Sequence, residues 1–140
     1  MRRVAFFSLL FIAGCSVDSL PRYMQDVPKT EEDEQKILGE IQKELGAEFT
    51  VERLDELFFL ASNAGEASLR RCRGTVSRMF DFLYGDFLIQ KPEKPIRIYL
   101  FKDRESYDDY CRSAYAKPPS TPFGFYMSCE RKMVMNISTG

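Results

Sequence analysis

The sequence predicts an α+β domain that follows a signal peptide and a tether: a small mixed sheet with a C-terminal hairpin, packed against two or three helices. The chain has 140 residues, 44% of them hydrophobic, which suffices for one domain with a buried core. Apolar side chains recur every three or four residues in three segments, as in helices that pack on one side. Other apolar segments are compact or alternate with polar residues, which is typical of strands. Together these segments predict one sheet covered by helices.

The N-terminal residues predict export and lipidation. The basic start Met1-Arg2-Arg3 precedes an apolar stretch, residues 4–14. This stretch is shorter than the about 20 residues that span a membrane, and it suits the apolar region of a signal peptide. Its end, Ile12-Ala13-Gly14-Cys15, resembles the lipobox of bacterial lipoproteins, in which the cysteine thiol takes a diacylglyceryl group. We therefore interpret residues 1–14 as a lipoprotein signal peptide and Cys15 as the lipidated residue; an ordinary signal peptide cut elsewhere is the alternative.

The lipobox implies that the partner of the N-terminus is a membrane. Acyl chains on Cys15 anchor a protein stably, because each buried methylene contributes about 0.8 kcal/mol. In enterobacterial lipoproteins an aspartate after the cysteine retains the protein at the inner membrane, so Ser16 implies the outer membrane, facing the periplasm. Residues 15–29 lack periodicity and contain two prolines, so we interpret them as a lipidated tether to a domain at 30–140. The sequence identifies no protein partner.

The first predicted helix begins at Thr30. Four acidic residues fill its first turn, which suits the positive end of the helix dipole. Apolar residues at helical spacing continue to Leu45, and Gly46 ends the helix. The next apolar run, Leu57–Ala61, is interpreted as a buried strand after a shorter strand or turn near Phe49–Val51. A helix across residues 51–60 is the alternative, because several apolar residues there also fit helical spacing.

The clearest predicted helix covers residues 65–84. Asn63 and Glu66 resemble a capping box at its start, and Gly85 lies past its end. Gly74, in the middle of the helix, is interpreted as a site of close packing. The apolar face comprises Leu69, Cys72, Val76, Met79, Phe80, Leu83 and Phe87. The other face carries Arg70, Arg71, Arg73 and Arg78, which are either solvated or in contact with anionic lipid headgroups.

The remaining elements are a strand, a short helix and a hairpin. The residues after a proline-bearing turn alternate as a strand over Ile96–Phe101, and Asp103 is expected to cap the next helix. The inner face of that helix comprises Tyr107, Tyr110, Cys111 and Ala114. The segments Phe123–Met127 and Met133–Ile137 predict a hairpin.

Composition excludes several classes of function. The balance of 20 basic and 21 acidic residues argues against a nucleic-acid partner. The absence of histidine excludes Ser-His-Asp and Cys-His nucleophile systems and every histidine-containing metal site. Cys111 and Cys129 are a possible disulfide in an oxidising compartment, whereas Cys72 is expected to be a small core residue. No two cysteines have the spacing of a zinc motif.

From about residue 58 to residue 140, the chain resembles the N-terminal part of peptidase MA-like (gluzincin-type) zinc metallopeptidase domains of bacterial envelope proteins. The resemblance covers somewhat over half of the chain and depends on the order of its elements. These are the buried strand Leu57–Ala61, the long amphipathic helix, the strand 95–103, the short helix with Tyr107, the strand Gly124-Phe125-Tyr126 after a proline-bearing loop, and the strand Met133–Ile137.

The resemblance implies a scaffold without its catalytic residues. In that family the next element is a helix with the zinc-binding motif His-Glu-x-x-His, which this chain does not contain. No cofactor is therefore expected in this chain. Zinc is expected only if a C-terminal half, missing here, exists. The resemblance implies only a possible cleft wall, formed by Gly124, Phe125, Tyr126 and Met135. A truncated domain is expected to expose Met133–Ile137 as a sheet edge. The alternative is a small binding or scaffold module, unrelated to peptidases, that covers this edge.

Overall fold

The computed structural model describes residues 30–86 and 94–139, which form three helices and one five-stranded sheet. The predicted signal peptide, Cys15, the tether and Phe87 lie outside these residues. The helices are α1 (Glu31–Leu45), α2 (Glu66–Asp81) and α3 (Arg104–Tyr115). A π-helical turn, Phe82–Asp86, continues α2, and a 3-10 turn, Ile137–Thr139, follows the last strand. The strands are β1 (Thr50–Asp55), β2 (Phe58–Ser62), β3 (Ile96–Phe101), β4 (Gly124–Met127) and β5 (Lys132–Asn136).

The sheet is mixed, with the strand order β1-β2-β3-β5-β4. The pairs β1–β2 and β4–β5 are antiparallel, whereas β2–β3 and β3–β5 are parallel. The predicted α+β fold with a C-terminal hairpin is therefore confirmed. Because β5 is paired with both β3 and β4, Met133–Ile137 is not the sheet edge that was expected of a truncated domain; the edges of the sheet are β1 and β4.

Helices cover both faces of the sheet. Directly paired residues share a face, so the registers sort the side chains into two sets. The α1/α3 face carries a core formed by Ile41, Leu45, Phe49, Phe59, Ala61, Tyr99, Phe101, Tyr107, Cys111 and Val134. The α2 face carries a second core formed by Leu57, Phe58, Leu60, Leu69, Ile98 and Leu100. The sheet is thus the middle layer of three.

The hairpin β1–β2 settles the ambiguous segment in favour of strands. The buried strand predicted at Leu57–Ala61 is confirmed, β1 is longer than predicted, and the helical alternative is wrong. The register shifts between Arg53 and Asp55, where β1 bulges. Leu54 lies at this shift, on the same face as Glu52, and packs against the same core as Leu57 and Phe58; this spacing of apolar residues resembles that of a helix.

The helix starts follow local signals in two of three cases. The Thr30 hydroxyl accepts a hydrogen bond from the Asp33 amide (3.2 Å), and the Asp103 carboxylate accepts one from the Ser106 amide (2.8 Å), so the predicted start at Thr30 and the predicted cap at Asp103 are confirmed. The predicted capping box at Asn63 is wrong. Helix α2 starts after Gly65 without a side-chain cap, and the Asn63 side chain instead accepts a hydrogen bond from the Lys102 amide (2.8 Å).

Candidate functional site

The structure divides the predicted cleft wall between the two faces of the sheet. Gly124 pairs directly with Met135, and Tyr126 lies on the same α2 face. Phe125 pairs with Val134 and therefore lies on the α1/α3 face, with its ring 5.8 Å from the ring of Tyr115. Phe125 thus packs against the core of the α1/α3 face. Its predicted place in one wall with Gly124 and Tyr126 is wrong, because successive residues of a strand point to opposite faces.

Gly124 allows the two strands of the hairpin to approach closely. Its φ is 151°, and a Cβ placed there would lie 2.5 Å from the Val134 carbonyl oxygen and 2.9 Å from the Met135 Cα. The loop before it holds this backbone in place: the Thr121 hydroxyl donates to the Gly124 carbonyl (2.9 Å) and accepts from the Gly124 amide (3.2 Å). A glycine is therefore required where β4 begins.

Gly124→Ala is expected to lower the free energy of unfolding by about 1–3 kcal/mol, because the added methyl group collides with the backbone of β5. Gly74→Ala is the matched control. Nothing lies within 4 Å of a Cβ at Gly74, so its predicted close packing is wrong, and alanine there should stabilise the helix by up to about 1 kcal/mol. Urea denaturation of both variants measures the effects. Equal shifts of the same sign would contradict the geometry of the hairpin.

The α2 face is covered over β2 and β3 but exposed at the hairpin. Leu60 and Ile98 are buried there, whereas Tyr126 is 50% exposed and Met135 is 38% exposed. We call Gly124, Tyr126 and Met135 the hairpin surface. Three of the four residues predicted for the cleft wall are therefore brought together, and they line an accessible part of the sheet.

A polar network that cannot be predicted from the sequence lies on the opposite face. The Glu44 carboxylate on α1 accepts hydrogen bonds from the hydroxyls of Tyr99 (2.8 Å) and Tyr110 (2.6 Å) and from the Lys132 ammonium (2.7 Å). The same ammonium lies 2.8 Å from a Glu130 carboxylate oxygen and 5.2 Å from the centre of the Tyr99 ring. These five residues, the Lys132 network, connect α1, β3, α3 and β5.

The charges of the network stabilise one another. Partial burial acts to raise the pKa of the Glu44 carboxyl, but the hydrogen bonds from Lys132, Tyr110 and Tyr99 outweigh it and hold this pKa below its usual value. Burial acts to lower the pKa of Lys132, yet its bonds to Glu130 and Glu44 raise that pKa above the usual value. Burial raises the pKa of Tyr99 and of Tyr110, and their hydrogen bonds to Glu44 raise both further.

This arrangement favours a structural role over a catalytic one. A general base works best when its pKa is near the operating pH, and Glu44 is shifted away from that range. A lysine nucleophile needs a lowered pKa, and that of Lys132 is raised. No local signal in the sequence reveals the network, because the alternation of Lys132 with Met133 in β5 does not show which side of the strand is buried.

The described cysteines are free thiols. Cys111 is buried on α3, and Cys129 is exposed in the turn between β4 and β5. The structure therefore does not contain the possible disulfide between them, because one thiol points into the core and the other faces solvent. Burial raises the pKa of the Cys111 thiol to about 11, which keeps it protonated at neutral pH. Cys72 is partly buried against the core of the α2 face, in agreement with its predicted packing.

A cavity of about 250 Å³ lies between the end of α3, the following loop and β4. Its wall is formed mainly by apolar groups of Cys111, Tyr115, Pro118, Pro119, Phe125 and Met127. It lies on the α1/α3 side of the hairpin, so it is separate from the hairpin surface.

The residues that the structure describes form no zinc site. The chain has no histidine, and within residues 30–86 and 94–139 no group of three histidine, cysteine or acidic residues is placed to hold a metal ion. In the same part of the chain, no helix is long and apolar enough to cross a membrane.

Comparison with known proteins gives no relative: no protein-family model, curated protein or solved structure significantly matches this chain.

Proposed function

We propose that this chain is a lipid-anchored, non-catalytic protein of the bacterial cell envelope whose domain corresponds to the N-terminal part of a zinc metallopeptidase-like fold. The lipobox ending at Cys15 supports the anchor, and Ser16 favours the outer membrane, facing the periplasm. By itself the chain is expected not to hydrolyse peptides, because without histidine it cannot bind zinc through His-Glu-x-x-His.

The exposed hairpin surface is the observation that carries the second half of this proposal. In the family that the chain resembles, a helix follows the strand that corresponds to β5. A helix after Ile137–Thr139 could bury Tyr126 and Met135, which are exposed on the α2 face of the hairpin. The order of the elements from β2 to β5, which the resemblance implied, supports the same conclusion.

The nucleotide sequence beyond codon 140 tests this relationship. We would resequence the locus and translate the downstream region in all three frames. An encoded His-Glu-x-x-His within the first few dozen codons would support the proposal, and would assign the active site to that downstream part. A stop codon with no such motif in any frame would contradict it.

The second candidate function is an envelope binding or scaffold module unrelated to peptidases. The pairing of β5 on both sides favours it, because a truncated domain was expected to leave this strand at an edge. In this case the hairpin surface would bind a protein partner through Tyr126. A locus without the zinc motif would favour this function over the first.

Cys15→Ser is expected to abolish acylation and release of the signal peptide. In the wild-type chain, mass spectrometry should find a mature N-terminus at Cys15 that carries acyl chains. The Cys15→Ser variant should retain residues 1–14 and carry no acyl mass. Cys129→Ser, which replaces an exposed cysteine of the hairpin, is the matched control and should be acylated normally. A wild-type chain cut elsewhere, or without acyl mass, would contradict the anchor.

A further inference from the structure

The outward face of α2 combines positive charge with exposed apolar side chains. Arg71 and Arg78 are seven residues apart and therefore lie on the same side of the helix, opposite the buried Leu69. Both arginines are exposed. Next to them, Met79 is 60% exposed, and Phe82, in the turn that continues the helix, is 52% exposed. We call these four residues the α2 surface.

The charges of the domain are separated across the sheet. Helix α1 contains six acidic and two basic residues, a net charge of −4, and it lies on one side of the sheet. Helix α2 contains four basic and two acidic residues, a net charge of +2, and it lies on the other side. Arg73 is engaged with Glu52 on β1 (2.8 Å) and Arg70 lies 3.8 Å from Glu66, whereas Arg71 and Arg78 lie opposite the core. An anionic surface would thus attract the α2 side and repel the α1 side.

We propose that the α2 surface is a second membrane contact that binds anionic phospholipid headgroups. Arg71 and Arg78 contact the headgroup phosphates, and Met79 and Phe82 enter the boundary between headgroups and acyl chains. Exposed apolar residues among basic ones are typical of helices that lie in this boundary. Each basic residue near an anionic membrane increases the binding constant about fivefold.

This inference rests on the proposed lipid anchor. Fourteen residues separate Cys15 from Thr30, and a chain of that length reaches at most about 50 Å. An anchored domain therefore stays close enough to the bilayer for a weak surface to be occupied. The anchor supplies the high local concentration, and the α2 surface determines which side of the domain faces the lipid.

The oxidation rate of Met79 in reconstituted vesicles tests the proposal. The full chain, produced and processed in a bacterial host, is placed in vesicles of neutral phosphatidylcholine or in vesicles that also contain anionic phosphatidylglycerol. A water-soluble oxidant is added, and mass spectrometry follows each methionine. We expect Met79 to oxidise at least about threefold more slowly in the anionic vesicles, because oxidation depends on exposure. Met127, on the other side of the sheet, is the internal reference.

Charge reversal separates lipid binding from other effects. The variant Arg71→Glu/Arg78→Glu should lose the protection of Met79 without loss of fold, since both side chains face away from the core. The control Lys36→Glu/Lys43→Glu reverses two exposed charges on α1 and should retain the protection. Protection in both variants, or equal oxidation of wild-type Met79 in both kinds of vesicle, would overturn the proposal.

Failure of the anchor can be distinguished from failure of the surface. The mass of the N-terminal peptide reports acylation of Cys15 in the same samples. A chain that is acylated but shows no protection of Met79 retains its anchor and overturns the α2 surface. A chain without acyl groups that still shows protection in anionic vesicles only supports the surface and contradicts the anchor.

Discussion

Phe59→Ala is expected to lower the free energy of unfolding by about 3–5 kcal/mol. Phe59 is fully buried in β2, where it packs into the core of the α1/α3 face. Truncation removes a large apolar surface and leaves a cavity, because β1 and β3 hold the backbone on both sides. The measurement is urea denaturation, with the midpoint falling while the slope stays unchanged.

Phe123→Ala is the matched control for this prediction. Phe123 is 62% exposed, and its main structural role is through the backbone, since its carbonyl accepts a hydrogen bond from the Asn136 amide (2.8 Å). We expect its truncation to change stability by less than about 0.5 kcal/mol. Unfolding of both variants at the same urea concentration would contradict the burial of β2. The helical alternative for residues 51–60 would then have to be reconsidered.

The elements that could be predicted from the sequence are those determined by neighbouring residues. Helix α1 begins where Thr30 can cap it and ends at Gly46, whose φ is 93°. Helix α3 begins at the cap formed by Asp103, and the buried residues of its inner face recur at helical spacing. The C-terminal hairpin was predicted from two apolar segments with a polar turn between them. Each of these signals acts over a few residues, so the sequence displays it directly.

The features that could not be predicted depend on residues far apart in the chain. Asn63 resembles a helix cap, but its partner is Lys102, 39 residues away. The full length of β1 cannot be predicted because four of its six residues are polar, so Thr50–Asp55 shows no apolar run and no clear alternation. Strand alternation alone predicts that Phe125 and Tyr126 lie on opposite faces of the sheet. Which part of a face a helix covers depends on where α2 packs, and this the local sequence does not show.

The Lys132 network is the clearest example of such long-range dependence. Lys132 and Glu44 are 88 residues apart, and Tyr99 and Glu44 are 55 apart. Nothing near Lys132 in the sequence indicates that this lysine points inward, since lysines are rarely buried unless they are paired. The network becomes visible only when α1, β3, α3 and β5 are brought together.

Glu44→Gln is expected to lower the free energy of unfolding by about 2–3 kcal/mol at neutral pH. The Lys132 side chain is only 7% exposed and would retain Glu130 as its one carboxylate partner. Lys132→Met removes the buried charge itself. The double variant Glu44→Gln/Lys132→Met should therefore lose about 1 kcal/mol less free energy of unfolding than the two single variants lose together. Additive effects in this cycle, measured by urea denaturation, would contradict direct coupling of the two residues.

The pH dependence of the Glu44→Gln effect provides an independent check. The pKa of the Glu44 carboxyl is lowered in the folded protein. Its contribution to the free energy of unfolding is therefore complete above the usual carboxyl pKa and is lost as the pH falls through the lowered pKa. The pKa of Lys132 is raised in the folded protein. Its contribution to the free energy of unfolding is therefore complete below the usual amine pKa and is lost as the pH rises through the raised pKa. The difference between wild type and Glu44→Gln should therefore be largest around neutral pH and shrink in acid. In acid, Glu44 is protonated and no longer attracts the Lys132 ammonium by charge. If wild type and Glu44→Gln still differ as much in free energy of unfolding there, the effect of glutamine comes from disturbed packing and not from the lost charge.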